Sequence, residues 1–303
     1  MLNNLNIFGH VKWFIDDSAA HHSPPKLNEA IVILILIVAG LIILKLIDGY
    51  LKTSGVNERL DRTLRLRPYS KLATPLIRLS AALILVLNLV NNKLLSPNIP
   101  ADGSVFSDFV FLSFSIIAVL FALGFKVRFA ASLLFITFVL IGYLTEPIAT
   151  LDHLEYLGIA GYLFLAPSDQ WSLDYRFGRK KPPGDNLSRY SLIFYRATLG
   201  IGLSILAFSE KLLDLSLAQD FLTNYNWNIL SIIGLSDRNF IIMAGIIELL
   251  IGLSLIFNLA TRLTILALLG VMVTTAVLLG LDEVVGHLFI VGIAFAIFIE
   301  QKN

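Results

Sequence analysis

The sequence predicts an all-α, polytopic membrane protein of about nine transmembrane helices: two parallel four-helix repeats preceded by one extra N-terminal helix. Three observations lead there. Apolar runs close to the roughly 20 residues needed to cross a bilayer recur along the whole chain. Charged residues make up only 15% of the 303 residues against 56% hydrophobic, with a mean hydropathy of +0.79. Lys and Arg are also unevenly shared between successive loops, as alternating sides of a membrane would require. Water cannot solvate so much apolar surface, so lipid is the expected solvent, and in lipid the backbone must satisfy its own polar groups inside helices.

Taken in order, residues 1–28 read as a mixed, polar extracytoplasmic segment in which Val11 to Ile15 suits a membrane surface. Asp16, Asp17, His21 and His22 stand ahead of the first apolar run, where a cleavable leader would carry a short basic stretch, so none is expected. An extra helix fills 29–51, with its apolar run at 31–47. A basic cytoplasmic loop follows at 52–71, carrying Arg59, Arg62, Arg65, Arg67 and Lys71. The first four-helix repeat covers 72–166, with spans at 72–90, 105–125, 127–144 and 148–165. Only Lys126 separates the middle two, which predicts a tight hairpin. A polar cytoplasmic loop runs through 167–189. The second repeat covers 190–300, with spans at 190–209, 240–257, 263–280 and 284–299 and an outer-face insertion at 214–239.

With nine spans, one side of the membrane holds only Lys12, Lys26, Lys93, Lys211 and Arg238, leaving 18 of the 23 Lys and Arg residues on the other. That bias predicts a protein integral to the plasma membrane, N-terminus outside and C-terminus cytoplasmic. An eight-span count would break the alternation.

The repeat is legible in the residues. An offset of 134 takes His153-Leu-Glu-Tyr-Leu-Gly158-Ile-Ala to His287-Leu-Phe-Ile-Val-Gly292-Ile-Ala, and Arg128 to Arg262. An offset of 118 takes Arg78 to Arg196 and Lys93-Leu-Leu to Lys211-Leu-Leu. The difference between the offsets, 134 − 118 = 16 residues, means an insertion in the second half between Leu213 and Phe240, within 214–239. Four spans per repeat start both copies on the same side, so the repeats are expected to be parallel, related by an axis along the membrane normal.

These residues resemble the DoxX family over most of 75–299. Arg196-x3-Gly200 with Ser209-Glu210-Lys211-Leu212 is similar to that family's first helix. Gly245-Ile-Ile-Glu248-Leu-Leu-Ile-Gly252 and then Arg262 are similar to its second helix and the start of its third. His153-x-Glu155-Tyr156 with Trp171-Ser172-Leu173-Asp174 resembles its C-terminal end. The resemblance implies a four-helix unit, here duplicated. It also implies a membrane subunit of a quinone-linked oxidoreductase, or a partner of oxidative-stress proteins. Two departures matter: the chain exceeds the common four-helix length, and Glu248 and Glu155 have Phe114 and Phe289 at their counterparts, so any site is asymmetric.

Ionisable groups at membrane depth cost a few kcal/mol or more and each needs a reason. Glu248, in the middle of an apolar span, reads either as a proton-transfer carboxylate or as one half of a structural pair, with Lys211 or His287 the expected partner. His153 and His287 fall at matching points and could pass protons near neutral pH; a structural bond to a carbonyl or carboxylate is the plainer reading. In a continuous helix Asp152, Glu155 and Tyr156 share a face while His153 points away, toward Leu157. Glu210 and Lys211 end the sixth span, where snorkelling to the interface is the alternative to ligand binding. Trp227, with Phe221 and Tyr225, lies in an insertion too polar to span. It reads as an interfacial or re-entrant segment that roofs a ligand pocket or forms an ordinary aromatic belt.

Several classes are excluded or disfavoured. The absence of cysteine rules out a disulfide, a thiolate metal site, an iron–sulfur cluster and a persulfide carried on this chain. No phosphate-binding loop, serine nucleophile motif, HExxH or carboxylate-rich metal cluster is present. Two histidines are the minimum for a haem and nothing else accompanies them, so haem is not expected, nor is nucleic acid. The leading expectation is a DoxX-like subunit that binds a quinone, or another small redox or lipidic molecule, near its outer face. Its partners would be membrane lipid and a soluble or membrane redox subunit. The alternative is a non-catalytic scaffold or carrier for a partner protein or lipid.

Overall fold

The computed structural model describes residues 24–64, 66–95, 99–145, 147–166, 169–178, 185–225, 228–279 and 281–300. The expectations for 1–23, for Trp227 and for the side chain of His287 lie outside the described residues. Every regular element among those residues is helical, apart from one antiparallel bridge between Lys93 and Pro100. The α-helices of five residues or more are α1 (Leu27–Thr53), α2 (Val56–Thr63), α3 (Ala73–Val90), α4 (Val105–Leu123), α5 (Val127–Leu144), α6 (Pro147–Leu151), α7 (Leu154–Leu165), α8 (Asp185–Ala207), α9 (Ser216–Tyr225), α10 (Asp237–Phe257), α11 (Thr261–Leu279) and α12 (Leu281–Glu300).

Among the described residues, six helical stretches are long and apolar enough to cross a membrane: α1, α3, α4, α5, Tyr190–Leu212 and α10. Three shorter apolar stretches accompany them, at Leu154–Leu165, Thr261–Val277 and Ile290–Ile299. The chain is therefore an all-α protein of membrane-spanning character.

Local chemistry sets the ends of these helices. Ser104 and Ser236 cap α4 and α10 by accepting from the backbone N–H of Ser107 and Asn239. Gly124 and Asn258 end the same two helices in the left-handed region, with φ of 64° and 57°. Two residues later Lys126 and Ala260 are also left-handed, with φ of 47° and 42°. Both hairpin turns thus have the same backbone form at the offset of 134. Gly124 has a second reason: a Cβ there would fall 2.5 Å from the Cβ of Ser172.

Two expectations need correction. The extra helix extends two residues beyond 29–51 at each end, from Leu27, where Glu29 accepts from the Lys26 backbone N–H at 2.8 Å, to Thr53. The stretch 148–165 is not one helix. It breaks at Asp152-His153 into α6, of 5 residues, and α7, of 12. Twelve residues rise only about 18 Å, well short of a hydrocarbon core, so neither piece spans alone.

Within each half the helices pack in chain order: α3 on α4, α4 on α5 and α5 on α7; then α8 on α10, α10 on α11 and α11 on α12. Between the halves α7 packs on α8, and α12 packs on α3. Small residues set both crossings. A Cβ on Gly158 would meet Thr198 Oγ1 at 2.2 Å, and one on Gly292 would meet Ser80 Oγ at 3.1 Å. Where lipid surrounds the helices, close approach of this kind replaces the hydrophobic drive to associate. One large apolar core runs through both halves, joining Ile77, Phe114 and Ile159 to Leu199, Leu255 and Ile293. α1 lies outside this ring, against α10.

The ends of α5 and α11 that follow the hairpin turns present bare N–H groups. The Asp174 carboxylate accepts from the N–H of Lys126 and of Val127, each at 3.0 Å. On the other turn Asp48 of α1 accepts from the N–H of Ala260 at 3.1 Å. Arg78 and Arg196, matched at the offset of 118, both reach the ends of neighbouring helices. Arg78 is 1% exposed, pairs with Asp169 at 3.1 Å and donates to the carbonyls of Phe121 and Ala122 at the end of α4. Arg196 donates to Asn258 Oδ1 at the end of α10.

Candidate functional site

The break between α6 and α7 builds the first polar group. His153 leaves the helical region (φ −117°, ψ 31°) and its N–H bonds to the Thr150 carbonyl at 3.0 Å. This turn brings His153 Nδ1 to 3.1 Å from Glu155 Oε1. In a continuous helix residues two apart face different directions, so the expectation that His153 points away toward Leu157 fails for a local reason. His153 and Glu155 are both buried, as is Asp152 in the turn itself. Protein surrounds this turn, the setting in which non-helical backbone among apolar helices is tolerated.

One turn further along α7, Tyr156 is 2% exposed. Asn88 Nδ2 on α3 donates to the Tyr156 hydroxyl at 2.9 Å and to the Leu95 carbonyl at 3.1 Å. The Tyr156 ring stacks on Phe138 of α5 and meets the His153 ring edge-on. Across the α7–α8 contact, Tyr195 packs against Tyr162 with ring centroids 5.4 Å apart. The Asn88 carbonyl and the Tyr195 hydroxyl are fully buried and have no hydrogen-bond partner among the described residues. Such groups are costly unless something pairs with them. Both Asn88 and Tyr195 escaped sequence reasoning. For Asn88 a signal existed: it is the one polar side chain in the run Leu83-Ile-Leu-Val-Leu-Asn88-Leu-Val.

The second polar group joins α8 and α10. The end of α8 widens into a π-helical turn, Phe208–Leu212. That extra width is accommodated by Gly245 of α10, where a Cβ would fall 2.9 Å from both Lys211 Cβ and a Leu212 methyl. Seven residues on, Gly252 lets the backbones approach, since a Cβ on Gly200 would lie 2.6 Å from its carbonyl oxygen. The result places Lys211 Nζ 2.5 Å from Glu248 Oε2. Of the two expected partners of Glu248, Lys211 is therefore in contact with it. Glu210, on the same turn, is 2% exposed. Lys211 and Glu248 are 19% and 25% exposed on their side chains.

The structure thus groups His153 with Glu155, Tyr156 with Asn88, and Lys211 with Glu248. The first two sets share α7 and its neighbour α3; the third belongs to α8 and α10. Among the described residues no three His, Asp or Glu side chains converge as metal ligands would. A histidine–carboxylate couple can hold or pass a proton, and the Tyr–Asn pair offers fixed hydrogen-bonding atoms inside an apolar shell. The second-half insertion contains α9 and then a short turn that leaves Ile232 and Ile233 exposed, at 91% and 77%.

Compared with protein-family models, with curated proteins and with solved structures, the chain matches none. What fold and site define is a class: an all-α protein with membrane-spanning helices and buried polar groups on them.

Proposed function

We propose that the chain is a DoxX-like integral membrane subunit of nine spans, built as two parallel copies of a four-helix unit plus α1. Its N-terminus is outside and its C-terminus cytoplasmic. It binds a quinone, or another small redox or lipidic molecule, near the outer face. The family part of this reading rests on the residue pattern. The two-copy part is supported by the matching left-handed turns at Gly124–Lys126 and Asn258–Ala260. Support also comes from the reciprocal small-residue crossings Gly158–Thr198 and Ser80–Gly292, whose members stand at the same two offsets.

The observation that carries the ligand reading is the buried polar group around the α6–α7 break. A carbonyl-bearing ring fits its chemistry: the Tyr195 hydroxyl can donate to a carbonyl oxygen, and Asn88 Oδ1 can accept from a hydroxyl of the reduced form. The His153–Glu155 couple would supply or accept the proton that accompanies quinone reduction or quinol oxidation. A partner subunit would donate the electrons for reduction or accept them on oxidation.

Purification in mild detergent, followed by organic extraction and mass spectrometry, tests this. A quinone should co-purify with the wild-type protein and be lost from folded Asn88→Leu or His153→Ala variants. A single bound lipid in its place would favour the carrier reading. Neither molecule, in a folded protein, would sink both.

A further inference from the structure

The seat that α1 occupies has an open counterpart. On the second half, Ile33 of α1 packs among Ala207, Leu212, Ile246 and Leu249. Gly40 sits where a Cβ would fall 2.5 Å from Leu250. The offsets of 118 and 134 carry Ala207, Leu249 and Leu253 to Leu89, Ser115 and Val119. Those three residues line a groove between α3 and α4. Its floor holds Ala82 and Ala118, 6% and 4% exposed, while Leu83 and Val119 on its walls are 43% and 57% exposed. Ala82 and Ala118 are the counterparts of Gly200 and Gly252, the close contact beside the α1 seat.

We propose that this groove seats a membrane-spanning helix of another protein, in the place α1 takes on the second half. The proposal rests on the two-copy reading. The counterpart seat argues for a helix rather than a loose acyl chain: three of the groove's lining positions, in the other copy, belong to the apolar cluster that receives α1.

The groove also states the chemistry of its occupant. α1 is fastened by Glu29 to Arg238 and by Asp48 to the N–H of Ala260. The counterpart of Arg238 is Ser104, which caps α4, and the counterpart of the Ala260 N–H is the Lys126 N–H, already bonded to Asp174. At the two positions that fasten α1, an incoming helix therefore meets neither a cation nor an open backbone donor. It should be apolar throughout, with a small residue facing Ile116 as Gly40 faces Leu250. A second copy of this chain does not fit. Its α1 is tied to its own second half at both ends and is not free to enter the groove of another copy.

A photoreactive side chain placed in native membranes at Val119, or at Leu83, tests the proposal, with exposed Val273 on α11 as control. Both groove positions should give one shared adduct whose crosslinked peptide maps to a membrane-spanning segment of a different protein; Val273 should give lipid adducts alone. Ser115→Trp, which fills the groove from an exposed position, should abolish the adduct without lowering the amount of protein. Lipid adducts at all three positions, adducts to a second copy, peptides from soluble segments, or indifference to Ser115→Trp would each overturn the proposal. The same probe at Leu250 should react within the chain, with α1. If that adduct fails while the groove adducts persist, the two-copy argument falls and the groove stands as a site in its own right. The reverse pattern overturns the groove proposal alone.

Discussion

Arg238 grips Glu29 across 209 residues of sequence, its Nε donating to Oε1 at 2.9 Å and a terminal nitrogen to Oε2 at 2.6 Å. This fork joins the first turn of α1 to the first turn of α10. Asp48 fastens the other end of α1 to the start of α11. Between the two, Ile33 is the buried apolar residue of the helix. α1 is thus held at its ends more than along its length, and bidentate geometry is what makes such a pair specific. Reversing one charge, by Glu29→Arg or Arg238→Glu, should free that end. A cysteine at Ile33, in this cysteine-free chain, should then label faster with a thiol reagent, and the double reversal should restore slow labelling. Equal rates in all four proteins would refute the fastening role.

Lys211 and Glu248 should be worth more to each other than to the fold. Replacing Lys211 by Met leaves a carboxylate among Ile and Leu, at a cost of about 3 kcal/mol. The double change Lys211→Met with Glu248→Leu should cost less than either single one. Thermal unfolding in detergent reads the difference. Glu248→Gln separates structure from chemistry. If the pair only holds α8 to α10, Gln should be tolerated in fold and function. If Glu248 moves a proton, the protein should stay folded while ligand binding loses its pH dependence.

Asn88 anchors the polar group from the side of α3. Asn88→Leu removes the donor that reaches both the Leu95 carbonyl and the Tyr156 hydroxyl. The expected loss is about 1–3 kcal/mol, since buried acceptors are left with fewer partners. Denaturant or thermal unfolding that shows no loss would mean that water replaces the amide.

The two small-residue crossings should respond unequally. Gly158→Ala forces a methyl within 2.2 Å of Thr198 Oγ1 and 2.8 Å of the Tyr195 ring, while Gly292→Ala meets Ser80 at 3.1 Å. Overpacking of the first kind costs about 1–3 kcal/mol; the second should cost less, because a serine hydroxyl can rotate aside. A larger Tm loss for Gly292→Ala would contradict the packing described.

Acid should act on the loop before α4. Asp102 accepts from the Ser104 N–H at 3.0 Å and from the Ser107 hydroxyl at 2.5 Å, and these bonds hold its carboxyl well below the usual carboxylate range. A lowered folded-state value stabilises the fold above the ordinary carboxylate pKa and is lost as pH falls toward the lowered one. Wild type should therefore be more stable than Asp102→Asn at neutral pH, with the gap closing below about pH 4. A gap independent of pH would assign the effect to something other than the carboxylate.

Apolar run length by itself determined that this chain is helical and of membrane-spanning character, because in lipid only helices and closed barrels satisfy the backbone, and runs near 20 residues far exceed a barrel strand. The positions of α3, α4, α5, α10 and α11 were readable to within a few residues from the apolar runs, and for α4 and α10 Ser at one end and Gly or Asn at the other punctuate the run. Glu248 stood out for the same reason: a charge surrounded by Ile and Leu is conspicuous in one dimension. The break at Asp152-His153 was not readable. Nothing in Thr150-Leu-Asp-His-Leu-Glu155 forbids a continuous helix, and only burial against α3, α5 and α8 makes the turn preferable. Nor could the sequence say which carboxylate serves which bare N–H group. Asp174 and Asp48 do the same work on matching turns from unrelated parts of the chain. Such choices depend on which side chain tertiary packing brings within 3 Å of a donor, and a linear pattern contains no record of that distance.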